Sequence, residues 1–539
     1  MNRTGKFYKA MAIILVFCMA VTWYTPFAMA AAMTDIRVGL TKFYKDKSTM
    51  KIKTTKIGMG YSVNDSYVYD EVFRSQSGFS FLPATNYYYG LNQTFPSYSQ
   101  AMKTVTRIRS LGVEGYPVSL YRNSWTVYVG NSSTKKELEQ TMSKLGSHFG
   151  YTYTGPLKDN GHRVFVSGDQ ISFLYDGKVK NAYPQFRAVA SNSSNVMVLD
   201  LGARQYRGRI EIGRYEKQLL TAVNIINVES YLYGVVPGEM VSTWPTQALK
   251  AQAVAARSYV ISKTGYGSDS DLTNGYTVED STSSQVYKGY SVETAATNAA
   301  VNATQGEVVT YKGKVIPAYY SSTSGGRTED SADVWGMKAS YLASVVDEYE
   351  TEPEKEPWVI AMPNTEVQFR MEQAGLNVGT VKKVYAEIAT GSGRVYSLKV
   401  IGSEKSQVIQ SEKIRQVFDL YSTKFKIITN QEQPNQVSVL SAEGKTTLSL
   451  DDCFVISGDL KITELSNTDN RIYIVKSSGN LTPFLKSTPT SPEVSYFVGL
   501  GYGHGVGMSQ SGAKGLAKKG YSYQKIIQYY YKGCYVKRL

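Results

Sequence analysis

The chain is 539 residues long, 42% hydrophobic, 12% aromatic and 19% charged. That is room for roughly three or four domains, with too much apolar content for a disordered protein and too little Pro and Gly for a fibrous one. The 59 Lys and Arg residues outnumber the 45 Asp and Glu residues, and the net charge of +14 suits a polyanionic partner: nucleic acid, anionic lipid, or the teichoic acids and peptidoglycan of a bacterial wall.

Residues 1–30 narrow that choice. Arg3, Lys6 and Lys9 precede an apolar run from Met11 to Val21, Pro26 breaks it, and Ala28-Met29-Ala30 forms an A-x-A site before Ala31. The pattern predicts a secretory signal peptide. A retained anchor is the alternative, although the run falls short of the ~20 residues that span a bilayer. Removing the three leader cations leaves +11, so the exported body stays basic. Export argues against nucleic acid as a partner. Cys453 and Cys534 then remain, and one disulfide or two separate thiols both fit. With His148, His162 and His504 the only histidines, neither a metal site nor a cofactor is expected.

The predicted fold class is α+β, a mixed strand-rich core packed on a few helices, with an additional N-terminal α/β module. From Ile36 onward, short strands and turns rich in Tyr and Ser are expected. Ser124–Gly130 alternates like a strand, Thr134–Leu145 carries Leu138, Met142 and Leu145 on one helical face, and Arg163–Ser167 reads as a further strand. This strand–helix–strand unit, near 121–170, resembles a SPOR-type glycan-binding repeat; an ordinary α/β module fits equally. It lies within an accessory region over 31–190. Strands follow between Asn192 and Asn227. Then comes the most helical stretch, Pro245–Lys263, with Leu249, Ala253, Ala256 and Val260 as its apolar stripe and Gly265 as its end. Further helices are expected over Val292–Thr304, Gln410–Tyr421 and Tyr523–Tyr531. Glu350–Glu356 reads as an exposed linker, and a β-rich insertion is expected near 430–495 within a domain covering 191–539.

Glu239 is the residue that points to chemistry. Pro237 and Gly238 before it imply a turn, and its neighbours Val235, Val236 and Met240 are apolar. Partial desolvation raises a carboxyl pKa, as a general acid for a glycosidic oxygen requires. The positive end of the Pro245 helix acts the other way. The segment Gly501-Tyr502-Gly503-His504-Gly505-Val506-Gly507-Met508 places Gly at alternate positions. Extended, it would present a side-chain-free face to a ligand, with His504 and Met508 on the other face. A phosphate cradle fits less well, because the G-x-G-x-x-G spacing and its βαβ context are missing. Tyr319–Arg327 (YYSSTSGGR) is a polar loop whose hydroxyls suit sugar hydroxyls, and Trp335 and Tyr341 could stack on pyranose faces or merely pack.

These motifs add up to a resemblance. NVESYLYGVVPGEM (Asn227–Met240), WPTQALKAQAVAARSY (Trp244–Tyr259), DSTSSQVYKGY (Asp280–Tyr290), YYSSTSGGRTEDSADVW (Tyr319–Trp335) and GYGHGVGMSQSGAKGLAKKG (Gly501–Gly520), in that order, resemble the stage II sporulation protein D family, grouped with LytB-type autolysin modifiers. GSGRVYSLKVIGS (Gly391–Ser403) resembles the family's middle region. The resemblance implies a lytic transglycosylase acting on peptidoglycan strands stripped of stem peptides, with Glu239 as the single acid/base and 1,6-anhydromuramoyl ends as product. It implies Gln252, Gln285, Tyr320, Ser324, Trp335, His504 and Gln510 as substrate-binding residues. Some relatives bind zinc with Cys and His near the Ser-rich loop; Tyr319–Arg327 has neither. The alternative is a non-catalytic, basic wall protein that stimulates an N-acetylmuramoyl-L-alanine amidase. Either role implies glycan strands, anionic wall polymers and a cell-wall amidase as partners of a secreted, wall-associated protein.

Overall fold

The computed structural model describes residues 35–63, 66–143, 145, 150–177, 182–190, 196–215, 218–264, 274–350, 357–429 and 493–539, and the backbone of six short strands between 430 and 492. The leader, Gly265 and Cys453 lie outside the described residues. Cys534 is a buried free cysteine. No helix among the described residues is long and apolar enough to cross a membrane.

Mixed α+β architecture is what forms. The main sheet runs, edge to edge, through Val278–Glu279, Asp35–Gly39, Leu220–Asn227, Arg209–Arg214, Gln185–Ala188, Lys56–Val63 and Ser66–Arg74. Its interior strand Leu220–Asn227 (LTAVNIIN) is buried on both faces until its last residue, which explains its near-continuous apolar run. Asp35–Gly39 pairs antiparallel with that strand, Ile36 opposite Ile226 and Val38 opposite Asn224. The sheet therefore runs across residue 190, where the accessory region was expected to end, and one apolar core continues from Ile36 to Cys534. Pairing of strands distant in the chain leaves no local mark in composition.

A second, eight-stranded sheet holds the accessory module. Within it, Tyr87–Leu91, helix Tyr98–Arg109, Gly115–Tyr121, Ser124–Ser132, helix Lys135–Ser143 and Tyr153–Leu157 form a β-α-β-β-α-β unit. Two of the strand–helix–strand pieces expected near 121–170 belong to this unit, which starts earlier, at Tyr87. Arg163–Ser167 falls outside it and pairs with Ser172–Asp176. Thr134 and Glu137 cap the second helix reciprocally: the Thr134 hydroxyl accepts from Glu137 N, and the Glu137 carboxylate accepts from Thr134 N.

The expected central helix spans Thr246–Thr264. Its burial differs from expectation. Ala248, Leu249, Ala251, Gln252, Ala253 and Val254 through Ile261 are all buried, rather than a single stripe. Helices Val228–Glu239, Ala295–Ala303, Gln510–Lys518 and Tyr523–Tyr530 pack around it with strand Glu307–Tyr311, and its many Ala residues let them approach. The C-terminal strand Tyr535–Arg538 closes the fold against Glu307–Tyr311.

Residues 358–429 and 494–499 build a smaller unit with its own core around Trp358, Met371, Leu398, Phe418, Phe425 and Phe497. Its helices are Asn364–Gln373 and Glu412–Phe418, the latter within the expected 410–421. Strands Phe425–Thr429 and Val494–Gly499 pair antiparallel. The region between them, where a β-rich insertion was expected, contains three two-stranded hairpins.

Candidate active site

Glu239 closes the helix Val228–Glu239, with Pro237 inside its last turn. The turn read from Pro-Gly is thus a helix end, and Met240 already has extended φ/ψ. Pro237 has no N–H to give to the carbonyl four residues before it, and the helix ends two residues later. The helix begins at Asn227, whose side chain accepts from Ser230 N. It is anchored by Glu229, which binds the buried Arg257 guanidinium through both oxygens at 2.8 and 2.7 Å. Gly234 and Gly238 lie one turn apart on the face toward residues 285–289. A Cβ at Gly238 would lie 2.2 Å from the Val286 carbonyl oxygen, and one at Gly234 2.8 Å from that of Gly289. Only glycines allow this close approach, which brings Val286 N to 2.7 Å from Glu239 Oε1.

Three donors converge on the carboxylate. Besides Val286 N–H, Tyr320 OH reaches Oε1 at 3.3 Å and Gln510 Nε2 reaches Oε2 at 3.1 Å. The direction of the Tyr320 bond is fixed by its neighbours. Gln285 Nε2 donates to the Ala256 carbonyl (3.2 Å), which sets that amide's orientation, and also donates to the Tyr320 oxygen (2.9 Å). Tyr231 OH donates to Gln285 Oε1 at 3.1 Å. Tyr320 must therefore give its own proton to Glu239. Burial raises the Glu239 carboxyl above its ordinary pKa and outweighs the three donors and the Lys288 charge, which lower it. The nearest helix end is the negative end of its own helix, which also favours the neutral form.

The glycine-rich segment is not the extended strand predicted from its alternation. Gly501, Gly503, Gly505 and Gly507 all take positive φ, between 74° and 96°. Its backbone lies against the Ser-rich loop: Thr323 N and O bond with Tyr502 O and N at 3.2 Å, and a Cβ at Gly507 would meet the Tyr319 carbonyl oxygen at 2.1 Å. Alternate glycines thus serve close backbone contact and left-handed φ, not a flat ligand-facing strip. The segment ends in the two-residue strand Met508–Ser509, parallel to Tyr320–Ser321, and then in the helix whose first residue is Gln510. That pairing brings Tyr320 and Gln510 to the same carboxylate.

Six of the seven expected binding residues lie in two connected groups. Gln252, Gln285, Tyr320 and Gln510 are bonded to Glu239 or to one another. Trp335 and His504 form the second group with Tyr319: the Trp335 ring lies 4.6 Å from Tyr319 and 5.0 Å from His504, and Trp335 remains 38% exposed. His504 Nδ1 accepts from Val506 N at 3.0 Å, so its proton is on Nε2. Burial, with Arg394 and Arg415, pushes its pKa down to about 3, so the ring is a neutral donor. Ser324 is placed elsewhere. It is fully buried, and its hydroxyl donates to Asp347 Oδ2 at 3.3 Å.

Glu350, read from sequence as the start of an exposed linker, is buried. Its carboxylate accepts from Ser324 N, from Gly325 N and Gly326 N (3.0 Å each), and from the Ser509 hydroxyl (2.7 Å). Arg394 donates to the Ser324 carbonyl at 3.0 Å from the other side, its pKa lowered by burial to about 10. Sequence reasoning missed both. The acidic, Pro-containing context of Glu350 hides a carboxylate whose partners are twenty-four or more residues away. Among the described residues no group of three His, Cys, Asp or Glu side chains is placed to hold a metal.

Residues 216–311, which carry Glu239, Gln252 and Gln285, match the SpoIID family model, described as stage II sporulation protein. The chain is 33% identical over 310 residues to a Bacillus subtilis protein named amidase enhancer; the match covers 56% of this chain but only 39% of that protein. It is 28% identical over 323 residues to stage II sporulation protein D of Bacillus subtilis, covering 58% of this chain and 75% of the relative. An uncharacterized Brachyspira hyodysenteriae protein is 28% identical over 339 residues, 62% of this chain and 72% of its own length. Residues 216–311 thus carry a match to the SpoIID family, and the longer similarity to a stage II sporulation protein D and an amidase enhancer spans more than half of the chain.

Proposed function

We propose that the protein is a secreted, cell-wall-associated lytic transglycosylase that cleaves peptidoglycan glycan strands, with Glu239 as its single acid/base. The observation that carries this is the Glu239 carboxyl itself: its pKa is raised by burial, and it is met by donors that stabilise it once the proton is gone. Val286 N–H keeps Oε1 an acceptor, so the transferable proton belongs on Oε2. Oε2–H protonates the oxygen bridging N-acetylmuramic acid to N-acetylglucosamine, and the C1–O bond breaks. The resulting carboxylate takes the proton of the muramic C6 hydroxyl as O6 bonds to C1, leaving a 1,6-anhydro end. A glycoside hydrolase needs a second carboxylate within ~5–9.5 Å. The groups bonded to Glu239 are a backbone N–H, a phenol and an amide, and this reading gives it no carboxylate partner. The nucleophile is then the substrate's own hydroxyl. The shelf of Trp335, Tyr319 and His504 beside Tyr320 suits a sugar face, and the basic surface suits anionic wall polymers.

Denuded glycan strands incubated with the protein are expected to yield 1,6-anhydromuramoyl products by mass spectrometry, and none with Glu239→Gln. Absence of anhydro ends, or equal yield from the variant, overturns the proposal. Similarity to a protein named amidase enhancer favours a second role, stimulation of a wall amidase. If Glu239→Gln stimulates such an amidase as well as wild type does, that role is independent of the carboxylate.

A further inference from the structure

We propose that Gln252 and Gln510 form a two-position amide switch that turns over with the proton on Glu239, letting one carboxyl serve as acid and then as base; this rests on the acid/base role given above. The three glutamines of the site differ in how they are held. Gln285 is locked, because the Ala256 carbonyl accepts only from its Nε2 and Tyr231 donates to its Oε1. Gln252 and Gln510 touch no such anchor. Gln510 Nε2 lies 3.1 Å from Glu239 Oε2 and 3.4 Å from Gln252 Oε1. In this arrangement Gln252 Nε2 is buried with no partner, on a side chain with no exposure at all.

Those positions suit the ionised carboxylate and leave one amide stranded. Turning both amides about their last bond gives the complement. Gln510 Oε1 then accepts Oε2–H from protonated Glu239 and also accepts Nε2–H from Gln252, so the stranded donor is paired and Gln252 Oε1 takes the unpartnered place, where a buried carbonyl oxygen is less costly than a buried N–H. The two states exchange N and O positions of nearly equal shape, and the surrounding packing need not move. After proton transfer to the leaving oxygen, Gln510 Nε2 returns to hold the carboxylate until it takes the C6 hydroxyl proton. Gln252 acts through Gln510 and is a positioning residue. The other titratable groups facing Glu239 do not interfere near neutral pH. Tyr231 on its own helix and Tyr320 are held neutral by burial, and the Lys288 cation is the charged group that acts on the carboxylate.

The test is Gln252→Leu in the full chain, with Gln252→Met as the variant of closer volume should Leu impair folding. Two measurements are made: titration of the Glu239 carboxyl by carbon NMR, assigned against Glu239→Gln, and the pH profile of anhydro-product release. Removing the amide relieves the ionised state of an orphaned N–H, which costs more than the orphaned oxygen of the protonated state, so the Glu239 pKa is expected to fall by about one unit. The basic limb of kcat/KM should move down by the same amount. An unmoved carboxyl titration, with activity lowered evenly across pH, overturns the switch and makes Gln252 a packing or substrate contact. A shifted titration in a protein that yields no anhydro ends supports the switch and overturns the transglycosylase instead.

Discussion

Two carboxylates in the same core, Glu239 and Glu350, are bonded in contrasting ways. Glu350 is gripped by three backbone N–H groups of the loop 324–326 and by Ser509. Backbone donors cannot reverse, so the arrangement has one state. Glu239 has one such donor, Val286 N–H, and its remaining partners are a phenol and an amide. Side-chain partners can turn, accept as well as donate, and follow a proton. The same chemical group is therefore a rivet in one place and, on the proposed function, a reagent in the other, and the kind of donor around it marks the difference.

Breaking the reagent should have the largest effect. Glu239→Gln keeps size and the Val286 and Tyr320 bonds but cannot move a proton, so anhydro-product formation should fall by about 10²–10⁴-fold. Its stability should move the other way. Because the folded pKa of Glu239 lies above its unfolded value, the native state holds a proton that the unfolded chain gives up. Stability is then lost as pH rises from the unfolded to the folded pKa. The variant escapes that loss: its Tm should equal that of wild type below pH 4 and exceed it at pH 7, by scanning calorimetry at both values.

Breaking the rivet should show the reverse pattern. In Glu350→Gln, an NH₂ group replaces one acceptor oxygen and faces backbone N–H groups that have nowhere else to go. A loss of about 3 kcal/mol is expected in urea unfolding. Activity should fall only to the extent that the loop loosens around Tyr320. If Glu350→Gln is as stable as wild type yet inactive, Glu350 is chemical rather than structural, and the contrast fails.

Much of the surroundings of Glu239 was legible in the sequence, and little of those of Glu350. Glu239 stood out because Pro237, Gly238 and its apolar neighbours are consecutive, and the helix Thr246–Thr264 because its periodicity is local. Glu350 depends on bonds to residues 324–326 and 509, and the strand Asp35–Gly39 on pairing with Leu220–Asn227; no window of sequence contains both partners. The glycine alternation misled for a related reason. A period of two suggests a strand, but here it repeats a left-handed φ. Gly507→Ala sharpens that point. Left-handed φ costs a Cβ-bearing residue about 1–2 kcal/mol, and contact with the Tyr319 carbonyl oxygen adds to it. We expect a loss of about 2–3 kcal/mol in the same unfolding assay, and nearer 1 kcal/mol for Gly326→Ala, whose added Cβ meets open space at an equally left-handed φ.

Trp335→Ala should have the smallest effect and the cleanest signature. The ring packs on Tyr319 and His504 while keeping more than a third of its surface exposed, so truncation removes only part of a buried contact, and stability should drop by about 1 kcal/mol or less. A sugar resting on that face meets it before and during bond breaking alike. Binding lost equally from ground and transition states raises KM and leaves kcat unchanged. About 1 kcal/mol of lost stacking corresponds to roughly a five-fold rise in KM for denuded strands, recovered by Trp335→Phe. A fall in kcat at constant KM would mean instead that the shelf acts through His504 and Tyr320 on the carboxylate, joining the two residue groups into one machine.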